Sequence, residues 1–532
     1  MNNRRNAFLV AALADIPKFL TLQDRNPHSP TYGCFDRNYW HYRIIDFPSG
    51  MAQEFVWPLA LVYSLDAPEN PYYQEATLRE WVAAGIRYAA ISAHGDGSCD
   101  DYFPYEKAGG AAAFSLLACI ESYTLLQLAE PALVNFFQLR ANWLARHHES
   151  GQLSNHQALI VLCLLRLAAL TGNEQWRKQA SDRLRLILAW QTEEGWFPEY
   201  EGCDPGYLTL TISLLAEVYV CEPWPELRSA LIKAVTVAKE FLHPDGTFGG
   251  EYGSRNTLNF FPHGFELVGK WLPEALSVND GFIAGLEAQL QPCYADDHVL
   301  AHHAWNYLLA WRDFQSTRPT MPPRPQGRVF LKRAGILIDR SGDTELYLAL
   351  NKGGVCKLFR QGKLVHTDTG VSLRVKHGRK LKTAVTHLVD RYSAEIGVDQ
   401  IQIAGNMGWA KQMGMTTFKL LVLRLIMSLG GRLFPDLIRK ILQALLITSK
   451  KPSPFRFQRT LKRTTKGWRI IDQVEGKTWK DVEAVGIGPD QTSIYVVMSR
   501  MFQRGQLRHW LDLTSQISAL NDSESLIVER EP

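Results

Sequence analysis

Asn155-His156, Tyr207 and Arg255 are the residues of this 532-residue chain whose types and order suit one reaction. Elimination across a uronic-acid glycoside has three requirements. The carboxylate must be neutralised, so that the adjacent C5 proton becomes acidic. A base must take that proton, and an acid must protonate the departing O4. Asn155-His156 opens a helix after the Gly151 turn, and a helix N-terminus favours an anion. A neutral His beside it can donate to a carboxylate. Tyr207 follows the Asp204-Pro205-Gly206 turn, which aims it into the loop face. A Tyr is a poor base near neutral pH unless a cation lowers its pKa, and Arg255 could be that cation. Tyr252, Asn256 and His263 on the following segment, with Trp196 and Tyr105 on neighbouring loops, are the expected substrate contacts.

Four Gly-led, polar and aromatic loops carry these residues. They centre on Gly97, Gly151, Gly195 and Gly246 and recur about every fifty residues. That period fits one helical hairpin per unit, since two helices of three to four turns plus loops need about that much chain. Stacked hairpins put alternate loops at one end, where His, Tyr, Asn and Arg would converge.

The positioning elements change along the chain. Residues up to about 315 are helix-rich, with apolar spacings of three and four over 111–128, 157–171, 174–190, 208–220 and 224–242. A linker at 316–327 holds four prolines and cannot continue a helix. Past it, 328–331, 335–339, 345–350 and 355–359 read as antiparallel strands, resuming at 469–472, 482–487 and 493–497. The expected domains are thus a helical domain at 1–315, the linker, and a β-domain at 328–532. Within the latter, 401–470 carries fourteen Lys and Arg against one acid, Asp436, in a chain of net charge +4. The apolar runs 417–429 and 433–447 inside it predict a basic amphipathic helical pair, suited to an anionic membrane or an acidic polymer.

Bulk composition narrows the classes. Hydrophobic residues at 46% and charged residues at 21% describe a globular chain too long for one core. Fifteen Trp and nineteen Tyr are compatible with carbohydrate, because aromatic rings stack on sugar faces, and equally with filling helical cores. Eight scattered cysteines without a Cys-x-x-Cys pair argue against a disulfide framework or a zinc knuckle. His147-His148, Asp296-Asp297-His298 and His302-His303 are adjacent residues that point apart, so no metal site and no cofactor are expected; a divalent ion is left open. No aromatic-interleaved basic motif suggests nucleic acid. Arg4-Arg5 before an apolar run at 7–14 resembles a short secretion signal, but the apolar face continues to Leu20 and reads as one amphipathic helix. A cytoplasmic or peripheral inner-membrane location is expected over a periplasmic one.

With these residues in view, the chain resembles the heparinase II/III-like proteins, in a branch found with bacterial exopolysaccharide genes. Asn155-His156 resembles that family's Asn-His pair, and Tyr207, some fifty residues on, its catalytic Tyr. The resemblance implies an N-terminal (α/α) toroid followed by a C-terminal antiparallel β-sandwich, and a polysaccharide lyase acting on an acidic polysaccharide. It also implies a His from the β-domain, for which His366 is the candidate. Two alternatives stand beside the lyase. A uronyl C5-epimerase shares the proton abstraction, and a non-catalytic polysaccharide-binding or assembly protein would keep only the cleft. A glycosidase would need paired carboxylates such as Asp100-Asp101 or Glu199 and Glu201, but two carboxyls on one loop are usually solvated.

Overall fold

The computed structural model describes residues 2–149, 151–199, 202–293, 300–378, 380–389, 391–410, 414, 416–431, 451–491, 501–521 and 524–532. The expected helix at 433–447, the expected strand at 493–497, Glu201 and Asp296-Asp297-His298 lie outside the described residues.

The first half is helical: α1 (Asn2–Leu13), α2 (Ile16–Leu22), α3 (Arg37–Trp40), α4 (Val56–Ser64), α5 (Ala76–Ile91), α6 (Gly109–Leu125) and α7 (Pro131–Arg146). There follow α8 (Ser154–Thr171), α9 (Glu174–Trp190), α10 (Pro205–Cys221), α11 (Pro225–Glu240), α12 (His263–Gly269), α13 (Pro273–Glu287) and α14 (Leu300–Arg312). Alternate helices differ in composition. α6, α8, α10 and α14 are buried almost all round. α7, α9 and α11 bury one stripe. A helix apolar on every side must be enclosed by protein, whereas a one-sided helix belongs at the surface. The contacts agree. α4, α6, α8, α10, α12 and α14 touch in that order, and α14 returns to α4, which closes an inner ring; the one-sided helices pack outside it. α8 is long and apolar enough to cross a membrane by composition, but most of it is buried in this ring.

Closure is made by aromatic and ionic contacts. Trp57 of α4 stacks on Trp305 of α14 at 4.3 Å, and both Trp305 and His302 bond the buried Glu54. α1 packs on α14, with Phe8 against Tyr307 and Arg5 over the Trp311 ring at 4.0 Å.

The second half is antiparallel β. The strands β1 (Gly327–Leu331), β2 (Ile336–Ser341), β3 (Thr344–Ala349), β4 (Val355–Arg360) and β5 (Lys363–Asp368) form one five-stranded sheet in that order. Among the described residues the second sheet has nine strands: β6 (Val371–His377), β7 (Lys380–Val385), β8 (Tyr392–Ile396), β9 (Gln400–Trp409), β10 (Pro452–Thr464), β11 (Gly467–Glu475), β12 (Val482–Ile487), β13 (Leu511–Asp512) and β14 (Leu526–Arg530). Its order is β13-β12-β6-β7-β9-β10-β11-β14, with β8 also on β9.

The central strands β2, β3 and β4 of the small sheet are buried on both faces, while the edge strands β1 and β5 are partly open. Leu346, Leu348 and Leu358 join the sandwich core, while their neighbours Tyr347, Ala349 and Phe359 join the helical core. Period-two alternation thus sends one set of side chains to each layer. The linker is pinned along the way: Arg318 pairs with Glu266 and Asp280, and Arg324 with Glu345.

The expected helical insert at 401–470 is narrower than read. β9 runs to Trp409, and β10 and β11 occupy 452–475; among the described residues the insert holds α15 (Thr417–Ile426) and a π-turn to Gly431. Much of the basic excess sits on strand faces. Along β10, Phe455 and Phe457 are buried while Arg456 and Lys462 are exposed. Arg459 is an inward exception. It donates to Asp472 (2.6 Å), Asp368 (3.0 Å) and the Gly354 carbonyl (2.8 Å), and Arg530 bonds the same two carboxylates. Burial would raise the Asp368 pKa, but Arg459 and Arg530 outweigh it and hold the carboxyl well below its usual range. Arg459→Met is expected to cost about 3–5 kcal/mol by leaving buried carboxylates short of a partner. Denaturant unfolding checks this, and a loss under about 1 kcal/mol would contradict it.

Candidate functional site

The Gly-led loops share a turn. His94, Thr192 and His243 each donate their N–H to the carbonyl four residues on, and Gly97, Gly195 and Gly246 each donate back to those residues. All four repeat glycines, Gly151 included, have positive φ. An added Cβ at Gly97, Gly195 or Gly246 would meet the backbone of Arg140, Lys233 or Gly281. Each turn therefore presses on an outer helix, which is why Gly recurs there.

Two of these loops are zipped together at the site. Ser154 donates to the Pro198 carbonyl through both its N–H and its hydroxyl, and Leu153 bridges Glu199. Asn155 is the second residue of α8 rather than its cap; its N–H (3.1 Å) and Nδ2 (2.7 Å) both donate to Glu199 Oε1. Arg255 Nη1 reaches Glu199 Oε2 at 3.4 Å, and the guanidinium lies 3.9 Å from the centre of the Tyr207 ring. Burial pushes the Glu199 carboxyl up from its usual value, and Arg255 and Asn155 oppose this without cancelling it.

Asp204 fixes Tyr207 against Arg255. It caps α10 by accepting from the Tyr207 N–H (3.0 Å), takes the Arg255 N–H (2.9 Å), and is bonded by the Thr257 hydroxyl. Pro205 supplies the helix start that needs no N–H. Gly206 follows because an added Cβ would lie 2.3 Å from Thr257 Oγ1. Tyr207 is left 7% exposed.

His156 completes the toroid side. Its Nδ1 meets Glu149 Oε2 at 2.7 Å, and its ring approaches Gly110 so closely that a Cβ there would sit 2.6 Å from Cε1. Burial works to lower the His156 pKa, but the Glu149 carboxylate, by charge and hydrogen bond, and then Glu199 outweigh it, so the net shift is upward. Tyr105, half-buried on the loop that leads into Gly109-Gly110, has φ 61°, donates its N–H to Asp100 (2.7 Å) and stacks on His94 at 6.1 Å.

The β-domain closes on the loop that carries Arg255. Lys352 Nζ donates to the carbonyls of Glu251 (2.7 Å) and Gly253 (2.9 Å) and to Asn256 Oδ1. Asn256, at φ 60°, is thus held by Lys352. His387, two residues past β7, bonds the Thr369 carbonyl through Nδ1 at 3.1 Å, and its buried Nε2 has no hydrogen-bond partner among the described residues. Burial, with the Lys352 charge second, lowers its pKa to about 3, so the ring is neutral.

Several expected substrate contacts fall elsewhere. His263 starts α12, but the preceding chain runs down the side of α10: Thr257 lies at Gly206, the Phe261 N–H bonds Thr209, and Gly264 lies at Ser213. His263 therefore meets Glu217 (3.3 Å) and Asp313 (2.8 Å), ten residues or about 15 Å along α10 from Tyr207. Tyr252 is buried, bonds His243 Nε2 at 3.0 Å and stacks on Tyr347, so it joins the two domains instead of facing a cleft. Trp196 is buried too. Its indole donates to Glu194, which also takes the N–H groups of Arg333 and Ala334. His366 pairs with Asp368, a member of the Arg459 cluster, at 3.4 Å.

Glu199, Glu149, Asp204, Lys352 and His387 were not assigned these roles from sequence. Asp204 had a local signal, as an N-cap residue before Pro. Glu199 stands out in the sequence only as one of a carboxylate pair with Glu201. Among the described residues no three His, Cys, Asp or Glu side chains are grouped to hold a metal.

Two outcomes follow from this geometry. Asp204→Ala should cost about 2–3 kcal/mol, combining a lost cap with lost buried hydrogen bonds, read by denaturant unfolding; a change under about 0.5 kcal/mol would contradict the role. The His156 pKa is raised above 6.5 in the fold. Its pairing with Glu149 therefore stabilises fully below about pH 6.5 and fades as pH rises through the raised value. The stability lost between about pH 6 and about pH 9 should shrink in His156→Asn, measured by thermal unfolding; an unchanged pH dependence would contradict it.

No family model matches the chain, and no curated protein matches it in sequence. Solved structures do match. Chondroitin AC lyase of Streptomyces coelicolor A3, in complex with chondroitin sulphate, matches with a TM-score of 0.55 at 8% identity, over 91% of this chain and 68% of that one. Paenibacillus xanthan lyase matches with a TM-score of 0.51 at 10% identity, over 91% of this chain and 46% of that one. Heparinase III gives 0.49 at 10% identity, over 82% of this chain and 63% of that one. The chain thus spans less than two thirds of the last two proteins. What the first two matches carry is architecture: this chain has the fold of those lyases, a helical toroid followed by an antiparallel β-sandwich.

Proposed function

We propose that this chain processes an acidic, uronate-containing polysaccharide by β-elimination, as part of bacterial exopolysaccharide metabolism. The observation that carries this reading is the Arg255 guanidinium 3.9 Å over the Tyr207 ring, with Asn155 and His156 grouped around the same buried Glu199. A cation on the ring face stabilises negative charge that develops on the phenol during proton transfer. His156 and Arg255 supply positive charge for the uronate carboxylate, and Asn155 the second N–H of the side-chain amide that already bonds Glu199.

In this reading Tyr207 is the proton carrier. It begins the cycle as the phenolate and becomes the phenol by taking the C5 proton; the C5–H electron pair becomes the C4=C5 double bond, the C4–O4 bond breaks, and the phenol gives that proton to the departing O4, which regenerates the phenolate. His387, neutral and with an Nε2 that no described residue bonds, is a β-domain histidine that would accept a hydrogen bond from a sugar hydroxyl.

The test is ultraviolet absorbance of the unsaturated uronyl product on a panel of uronate polysaccharides. Tyr207→Phe should lower the rate by about 10²–10⁴-fold, the range for a lost general acid–base group, with the fold retained. A Tyr207→Phe variant as fast as the parent would contradict the assignment. Exchange of C5 hydrogen with solvent deuterium and no unsaturated product would replace elimination by epimerisation. Polymer binding with neither signal would leave a binding or assembly role.

A further inference from the structure

We propose that α15, with the toroid loop that carries Tyr42 and Ile44, is a docking surface for an anionic lipid bilayer. This does not rest on the lyase reading.

α15 is amphipathic the wrong way round for a protein packed only on itself. Phe418, Leu421, Leu425 and Leu429, at helical spacing, are 60–76% exposed and form one stripe. The opposite side faces the protein. Met427 is buried, Leu423 and Arg424 are half-buried, and Arg424 bonds Asp46 at 2.7 Å and lies over the Phe47 ring at 5.4 Å. The side that carries Arg424 and Met427 is held against the protein, with the Asp46 carboxylate itself 71% exposed at its edge, and the apolar stripe is outward. An aqueous protein normally buries such a stripe, and a contiguous exposed one marks an interaction surface. The clamped loop also carries Ile44, 71% exposed, and Tyr42, also exposed, within five residues of its Asp46 and Phe47 anchors.

Charge selects the occupant. Lys419 flanks the stripe, exposed Arg43 sits between Tyr42 and Ile44, and Lys451 is exposed where the segment returns to β10. Apolar side chains flanked by Lys and Arg match an anionic interface, where the rings and aliphatic groups enter the acyl boundary and the cations meet headgroups. The helix has ten residues, about 15 Å, so it lies in the interface and does not span it. A second copy fits less well, because a two-fold interface would set this basic patch against a second patch of the same sign.

The experiment is flotation of the full chain with vesicles of phosphatidylcholine alone and of phosphatidylcholine with phosphatidylglycerol. The parent should float with the anionic vesicles and not with the neutral ones. The double variant Leu421→Asp/Leu425→Asp, and separately Ile44→Asp on the toroid side, should bind at least about tenfold more weakly. Circular dichroism on each variant guards against misfolding, and agreement of the two independent sites keeps the test intact if one fails to fold. A parent that stays in solution, variants that float equally, or equal binding to neutral vesicles would overturn the proposal. So would concentration-dependent dimers that are lost in the double variant without any flotation, since that outcome assigns the stripe to a second copy.

Discussion

The carboxylate of Glu199 is the constraint on which the candidate site depends. It is buried at the seam of two loops, and it takes two donors from Asn155 and one from Arg255. A buried carboxylate is costly unless paired, so its position commits both partners. Arg255 is then held over Tyr207, and Asn155 is held at the start of α8. Asp204 does the same from the backbone side. Glu199 and Asp204 together also place negative charge where the N-termini of α8 and α10 converge, which balances the partial positive charge there.

The second constraint is the small β-sheet. Because its central strands β2, β3 and β4 are buried on both faces, the sandwich cannot shift relative to the toroid without exposing one apolar set. That fixed contact lets Lys352 reach the Arg255 loop and brings the Lys352 charge to bear on His387. The site is consequently made by both domains. Its helical half carries Asn155, His156, Tyr207 and Arg255, and its β half holds the loop that presents one of them.

Much of this was legible in the sequence where local chemistry decides. The glycine period located the hairpins because a positive-φ turn pressed on a helix admits little else. The strand signals at 328–359 and 482–487 gave their elements to within a few residues. The proximity of Tyr207 to Arg255 could be suggested but not established, since it depends on packing between hairpins. The place of His263, on the Glu217 and Asp313 carboxylates, is hidden from the sequence for a related reason. Its position follows from an extended run along α10, and nothing in Pro262-His263-Gly264 signals that path. Tyr252 and Trp196 looked like loop aromatics but fill the domain interface. The basic segment was read too widely because a charge count ignores the alternation that puts Arg456 out and Phe457 in. Lys352 and His387 have no local signature, as their roles arise across long sequence separations.

The most direct test of the central claim is a double-mutant cycle on Glu199 and Arg255, using Glu199→Gln, Arg255→Gln and the double variant in denaturant unfolding. If Glu199 holds Arg255 in place, the two changes are non-additive, with a coupling of about 1–3 kcal/mol. Additive effects, with a coupling below about 0.3 kcal/mol, would mean that Arg255 is positioned by something else and that Glu199 does not organise the site.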